Sequence, residues 1–327
     1  MQKIVVTHGE CGGVNYELFI RTFLDSALLD IVHPTFFGSS KILNMVAKSM
    51  GNNNFLQKAR HLRIEEVLPV SENVQYSRGT ATKVSGEMAC VALEKAVKYL
   101  KTSNSGILLT FPIDIEAVRL SRPEFKNQAS LIASSFSAKM PYRMFLSDSL
   151  KTTFMMSSGS QSVLTSERIK NRIVALHNTF KRDFSILSPR IAVLSMNENI
   201  YDTKLCEKDN QVLTPVINEL MVNGHAVFGP FTTTKALEIC GDFDVMLCIY
   251  REQQQLFFKD RDTSSLCFFT AGLPIVHVEP HLPLNMGQLT DIPLAEQDLR
   301  NAIYWGVDIF SHREENVSVF ANPLCFN

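Results

Sequence analysis

Neither sign of charge is in excess in this sequence: 32 Lys and Arg stand against 33 Asp and Glu, for a formal net charge of -1. Without a basic surplus the chain has little with which to neutralise a phosphate backbone, so nucleic acid is not an expected partner. Long apolar runs are also missing. A bilayer span needs about 20 predominantly apolar residues, and the longest candidates, such as VMLCIY at Val245–Tyr250, are strand-sized. No membrane is expected as a partner, and the opening MQKIVVTHGE lacks the basic-then-apolar pattern of an export signal. Paired cysteine spacing is absent. The 7 cysteines, at 11, 90, 206, 240, 248, 267 and 325, are odd in number and scattered. They are expected to be reduced thiols in a cytoplasm, with Cys90 and Cys248 as small core residues in apolar stretches. Short repeats and low-complexity linkers do not occur.

What remains is an ordinary globular composition, 45% hydrophobic and 20% charged over 327 residues, long enough for two α/β domains with full cores. Short β-branched runs alternate with helical spacing, the mark of α/β architecture. Strands are predicted at Lys3–Thr7, His33–Phe37, Gly106–Thr110, Tyr142–Ser147, Lys151–Ser157, Pro189–Ser195, Val245–Tyr250 and Leu266–Thr270. Helical periodicity is predicted over Tyr16–Leu28, Ser40–Met50, Glu87–Lys101, Ser166–Phe184, Asn210–Asn223 (closed by Gly224) and Asp298–Phe310. From Ser311 onward a mobile tail is expected, and the Ser-, Asn- and Gly-rich stretch at 72–82 reads as a loop.

Few groupings suggest chemistry by spacing alone. Gly9, Gly12 and Gly13 follow the first strand; a tight strand-to-helix turn accounts for them better than a phosphate cradle, because the full GxGxxG is lacking. His8 and Glu10 on that turn either face a cleft or cap the next helix. His277 and His281 flank Val278-Glu279-Pro280. Proline forbids a helix there, and in an extended chain the two rings stand roughly 13 Å apart, so they read as loop histidines rather than a metal pair. Ser157, Ser158 and Ser160 have no GxSxG elbow and no identifiable base. The positive charges between Lys58 and Arg63 read as a solvated helix face, and the pairs Phe257-Phe258 and Phe268-Phe269 as core.

Five segments in order carry a resemblance: VTHGECGGVNYELF, FKNQASLIASSF, SPRIAVLSMNEN, FDVMLCIYREQQQLFFK and FTAGLPIV. Their order and spacing resemble the 4-hydroxythreonine-4-phosphate dehydrogenase family (PdxA-type) over most of the chain. The resemblance implies two α/β/α domains around a central cleft, similar to isocitrate and isopropylmalate dehydrogenases, and a homodimer. By that analogy residues 1–128 with 286–327 form one domain and 129–285 the other. It also implies NAD as hydride acceptor in pyridoxal phosphate biosynthesis, and a divalent metal, held by three histidines, on the substrate hydroxyl.

Carried over residue by residue, the family's site is eroded. The three metal histidines fall on Gly159, Asn197 and Arg251. Glycine has no ligand atom, asparagine is a poor ligand, and a guanidinium has no lone pair. A divalent metal is therefore not expected. The Gly-His-Thr-Glu motif becomes Asn127-Gln128-Ala129-Ser130. An upstream Lys becomes Ile115, an Asn becomes Phe268, an Arg becomes His277, and the dinucleotide-facing His-Gly-Thr-Ala becomes Leu282-Pro283-Leu284-Asn285. Lys259 stays in register, and Glu252 keeps the acidic character of the family Asp.

These replacements leave three readings open. One is a ligand-binding or regulatory pseudoenzyme that holds a small anionic ligand through Lys259, Arg251 and Gln128. Another is an active NAD-dependent oxidoreductase on a phosphorylated hydroxy acid with a metal-free site. There Arg251 polarises the nascent carbonyl, and Glu252 or His277 is the candidate base. The last is an interaction protein whose cleft is filled by its own side chains.

Overall fold

The computed structural model describes all residues except 60, 68–77, 103–105, 158–163, 199–206, 260–265, 283, 285–291 and 322–327. In chain order the first elements are β1 (Gln2–Thr7), α1 (Asn15–Phe23), α2 (Ser26–Ile31), β2 (Val32–Gly38), α3 (Ser40–Ser49), α4 (Phe55–Lys58), β3 (Arg63–Glu66), α5 (Lys83–Thr102), β4 (Ile107–Thr110), α6 (Ile115–Arg119) and α7 (Gln128–Ser135). There follow β5 (Tyr142–Leu146), β6 (Lys151–Met156), α8 (Ser166–Asp183) and β7 (Ile191–Leu194). A π-helical turn, Asp209–Leu213, leads into α9 (Thr214–Val222). Then come β8 (Val227–Phe231), α10 (Thr233–Ile239), β9 (Val245–Tyr250), α11 (Arg251–Leu256), β10 (Cys267–Ala271), β11 (Val276–Pro280) and α12 (Ile292–Ala321).

The chain forms two compact units, Met1–Pro141 with Leu266–Val307 and Tyr142–Ser265 with Asp308–Asn327. These limits differ from the division expected by analogy. Residues 129–141 and 266–282 pack in the first unit, because β11 pairs in parallel with β4 (Val276 opposite Ile107) and β10 is its antiparallel neighbour. Residues 308–327 go to the second unit, where the C-terminal half of α12 is bonded to α8.

In the first unit the strands run β3-β2-β1-β4-β11-β10, parallel except for β10. β1 and β4 are fully buried at Ile4–Val6 and Ile107–Leu109, which explains why both read as unbroken apolar runs rather than alternating ones. Phe19, Phe36 and Tyr16 interlock beneath them, with ring centroids 4.2 Å apart for Phe19–Phe36. The single helix predicted over Tyr16–Leu28 is two. It stops at Leu24, and the Asp25 carboxylate caps a new helix by accepting from the Ala27 N–H. α5 starts earlier than its apolar period suggests, because Thr82 and Ser85 cap its first turn reciprocally.

In the second unit the order is β5-β6-β9-β7-β8, parallel except for β5. β9, VMLCIY, is buried from Val245 to Ile249. Gly224, with φ of +84°, ends α9 as its position predicts. No mobile tail begins at Ser311: α12 continues to Ala321. The buried Asp183 carboxylate receives both Arg182 and Arg313 in two-bond forks of 2.6–3.1 Å. His312 Nδ1 bonds the Asp183 carbonyl, and Asn316 donates to the Lys181 and Arg182 carbonyls. Those carbonyls are the orphaned acceptors at the end of α8, so one helix end is capped by another helix's side chains. Five of the cysteines, 11, 90, 240, 248 and 267, are free and buried. No helix among the described residues is long and apolar enough to cross a membrane.

Candidate functional site

In the second unit, β6, β9 and β7 are adjacent and parallel, with Met156 opposite Tyr250 and Val193 opposite Leu247. Their C-terminal ends therefore share one sheet edge, where ligands of open α/β sheets bind. The positions onto which the resemblance places the family's histidines all follow those ends in sequence. Gly159, past β6, lies outside the described residues. Asn197 lies three residues past β7, and Arg251 opens α11 directly after β9.

A dense polar network organises this edge. Asp209, buried in the π-helical turn, accepts from the Ser195 hydroxyl at 2.5 Å and from the Met196 N–H at 2.9 Å. The Asn197 N–H donates to Ser195 Oγ at 2.9 Å. Gln253 joins two strand ends: its Oε1 accepts from the Ile249 and Tyr250 N–H groups, both at 3.0 Å, and its Nε2 donates to the Ser195 carbonyl at 2.8 Å. Glu198 takes the Thr233 N–H and hydroxyl at the start of α10. Gln254 Nε2 donates to Thr152 Oγ1 at 2.8 Å, tying α11 to β6. Burial, and then the Asp209 charge, raise the Tyr250 phenol above its usual range, so it stays protonated.

With Gln253 and Gln254 turned inward, α11 leaves Arg251 and Glu252 exposed. No ion pair forms at Arg251 among the described residues. Lys259, just beyond the helix, is likewise exposed. This donor set does not fit a divalent metal. The Asp209 and Glu198 carboxylates and the Gln253 amide oxygen accept from N–H and O–H donors, Arg251 brings a fixed positive charge, and no group of three or more His, Cys, Asp or Glu among the described residues could hold an ion.

The other sequence candidates belong to the first unit. Gln128 is buried at the start of α7, and its amide donates to the Phe111 carbonyl at 3.1 Å, so that nitrogen is spent on the chain itself. His277 is not in a loop. It sits fully buried in β11, with Thr110 Oγ1 3.0 Å from Nε2 and Thr270 Oγ1 2.9 Å from Nδ1. A ring engaged at both nitrogens links three neighbouring strands and has no open nitrogen for substrate. The dinucleotide-facing stretch falls at 282–285, of which 283 and 285 lie outside the described residues, and Leu282 and Leu284 carry no polar side-chain atom.

The turn after β1 is tight and closed. Gly9 has φ of +64°, and a Cβ there would meet the Pro112 carbonyl oxygen at 2.4 Å, so only glycine fits. Glu10 caps no following helix. Its Oε1 accepts from the Gly12 N–H at 2.8 Å and its Oε2 from the Ser85 hydroxyl at 3.0 Å, binding the turn to α5. Burial raises the Glu10 carboxyl and pushes the Cys11 thiol up to about 12. His8 is fully buried and completes no side-chain hydrogen bond at either ring nitrogen. Burial lowers it to about 4, against a weaker opposing influence of the Met88 backbone.

Sequence spacing missed Asp209, Ser195, Glu198 and Gln253. Only Gln253 had a signal, as the retained Gln of the family's Asp-Gln-Gly. Asp209 follows the stretch 199–206 and belongs to no apolar period.

The family described as "Pyridoxal phosphate biosynthetic protein PdxA" matches residues 30–282. A 4-hydroxythreonine-4-phosphate dehydrogenase of Bacteroides thetaiotaomicron is 27% identical, covering 98% of this chain and 92% of its own length. One from a Sulfurihydrogenibium species is 24% identical over 86% of this chain and 89% of its own. The solved structure of the Klebsiella pneumoniae enzyme superposes with a TM-score of 0.77 at 17% identity, covering 94% of this chain and all of that one; at that identity the likeness speaks for the fold.

Proposed function

This chain belongs to the PdxA family of pyridoxal phosphate biosynthetic proteins, and within it we propose a member that has lost the metal-dependent dehydrogenase reaction and acts as a ligand-binding or regulatory protein. The observation that carries this reading is Arg251 at the first position of α11, exposed at the edge where the resemblance places a metal ligand. A guanidinium cannot coordinate a cation and repels one. It is suited to a carboxylate or phosphate, with Lys259 following the same helix as a second positive group. The ligand is then a small anion, bound without turnover, by a homodimer in a cytoplasm that keeps the cysteines reduced. A light-scattering mass equal to one chain, 36.8 kDa, would remove the dimer.

A second reading is favoured by the side-by-side exposure of Arg251 and Glu252 on α11. It is an oxidoreductase acting on a phosphorylated hydroxy acid, with NAD as the hydride acceptor. Arg251 steadies the developing oxygen charge and Glu252 takes the proton. NADH formation from 4-phosphohydroxy-L-threonine, with excess NAD and added divalent metal, separates the two. The expected result is no turnover at high protein concentration. Turnover within roughly a hundredfold of an intact family member, a barrier difference under about 3 kcal/mol, sinks the first reading. Its abolition by Arg251→Ala in a folded variant then establishes the second.

A further inference from the structure

A cleft of about 480 Å³ opens in the first unit between α5, the 122–127 turn and α7, within the range of roughly 300–1,000 Å³ typical of small-molecule sites. It is separate from the Gln128 position. Asn127, Ser130, Leu131 and Ser134, at i, i+3, i+4 and i+7, line the cleft from one face of α7. Gln128 and Ile132 are buried on another face.

The floor of the cleft is apolar: Cys90 and Phe125 belong to a buried cluster with Val118, and Leu131 packs against them. Its rim is charged with both signs. Arg122 pairs with Glu94 at 3.3 Å. Lys126 and Glu124 line the same cleft, both exposed, and form no ion pair with one another or with any described residue. Two residues apart, their Cα atoms lie within roughly 7 Å. The Cys90 thiol is pushed up to about 11, first by burial and then by neighbours that include Glu94 and Glu124. Glu124 is thus near enough for its charge to be felt on the floor, and the thiol is not a nucleophile.

A hydrophobic floor beneath one free ammonium and one free carboxylate complements a small zwitterion with an apolar side chain. We propose that this cleft binds a free α-amino acid of leucine or phenylalanine type. Lys126 and the Asn127 amide face its carboxylate, Glu124 its ammonium, and Cys90, Phe125 and Leu131 its side chain. A simple carboxylic acid leaves Glu124 unused and brings a second negative charge beside it. An amine alone leaves Lys126 unused in the same way.

Isothermal titration of the full chain tests this with L-leucine, L-phenylalanine, 4-methylpentanoate and leucinamide. The amino acids are expected to bind saturably at one site per chain in the millimolar range or tighter, with the two half-analogues roughly tenfold weaker or more. Glu124→Lys should weaken leucine but not 4-methylpentanoate, and Lys126→Glu should weaken leucine but not leucinamide. Both residues are exposed, so unchanged unliganded melting certifies the fold, and Arg251→Ala should leave binding intact. No saturable heat with either amino acid, equal binding of the half-analogues, or indifference to both charge reversals would overturn the proposal.

Discussion

His8 places a fully buried imidazole where neither ring nitrogen completes a side-chain hydrogen bond, and the consequence appears in acid. Its ordinary value of 6.5 falls to about 4 in the folded chain, so between those values the unfolded chain binds the proton and the folded chain does not. Stability from this residue is intact above pH 6.5 and is lost as pH falls toward 4, by about 2 kcal/mol at pH 5. Glu10 acts in the opposite sense: its raised carboxyl takes up a proton in the folded state first, which favours the fold as pH falls through that value. Comparing urea unfolding of the wild type and His8→Leu at pH 8 and pH 5 isolates the His8 contribution. The variant's advantage should grow by about 2 kcal/mol on acidification, and an equal gap at both pH values would show that His8 is solvated or protonated in the fold. The residue letters did not show this. A histidine after a strand reads equally as a ligand, a cap or a core residue, and only burial chooses. Arg251 is the reverse case, since its chemistry excludes metal ligation wherever its side chain points.

Secondary elements were legible where one apolar period ruled. β9 and β1 announce themselves as strand-length apolar runs, and α8 as a long amphipathic stretch with Glu167 in its first turn. Elements held by polar bonds were not. The stretch His277–His281 reads as a loop because of Pro280 between its two histidines, yet pairing with β4 and the Thr110–His277–Thr270 line make Val276–Pro280 a central strand, β11. The end of α12 reads as a tail because SHREEN has no apolar stripe; Arg313, His312 and Asn316 attach it instead. The polar attachment predicts an order of effects. Asp183→Asn leaves the mostly buried Arg313 guanidinium without its carboxylate and should cost about 3 kcal/mol or more. Arg313→Ala leaves Asp183 still paired with the half-exposed Arg182, and should cost only about 1–2 kcal/mol. Thermal melts of the two variants check the ranking, and a larger loss from Arg313→Ala would place the stabilisation in packing of the arginine stem rather than in its charge.

Across the whole molecule, the fold and the family are shared, and the proposed reading places the difference in the ligand set at one sheet edge. Strands β6, β9 and β7 still end together at that edge, because their register depends on buried Thr152, Met246, Leu247 and Val193 rather than on metal ligands. Asp209 and Gln253 then fasten the strand ends by hydrogen bonds internal to the chain. On the proposed reading a scaffold braced in this way gains nothing from a dication, which gives a test independent of any substrate. A ligand that binds only the folded state adds about 2.7 kcal/mol at a hundredfold excess over its dissociation constant, and at roughly 2–4 °C per kcal/mol, or less in a chain this long, that raises the melting temperature by several degrees. Zinc or manganese should therefore leave the melting temperature of the wild type unmoved, and chelator should not lower it. The triple variant Gly159→His, Asn197→His, Arg251→His removes the repelling charge and supplies imidazoles after all three strand ends. It should melt several degrees higher with zinc than with chelator. A metal-dependent rise in the wild type would mean that other residues hold an ion. A triple variant that stays folded but remains indifferent to zinc would mean that the edge itself, and not only its ligand residues, has moved away from the family's geometry.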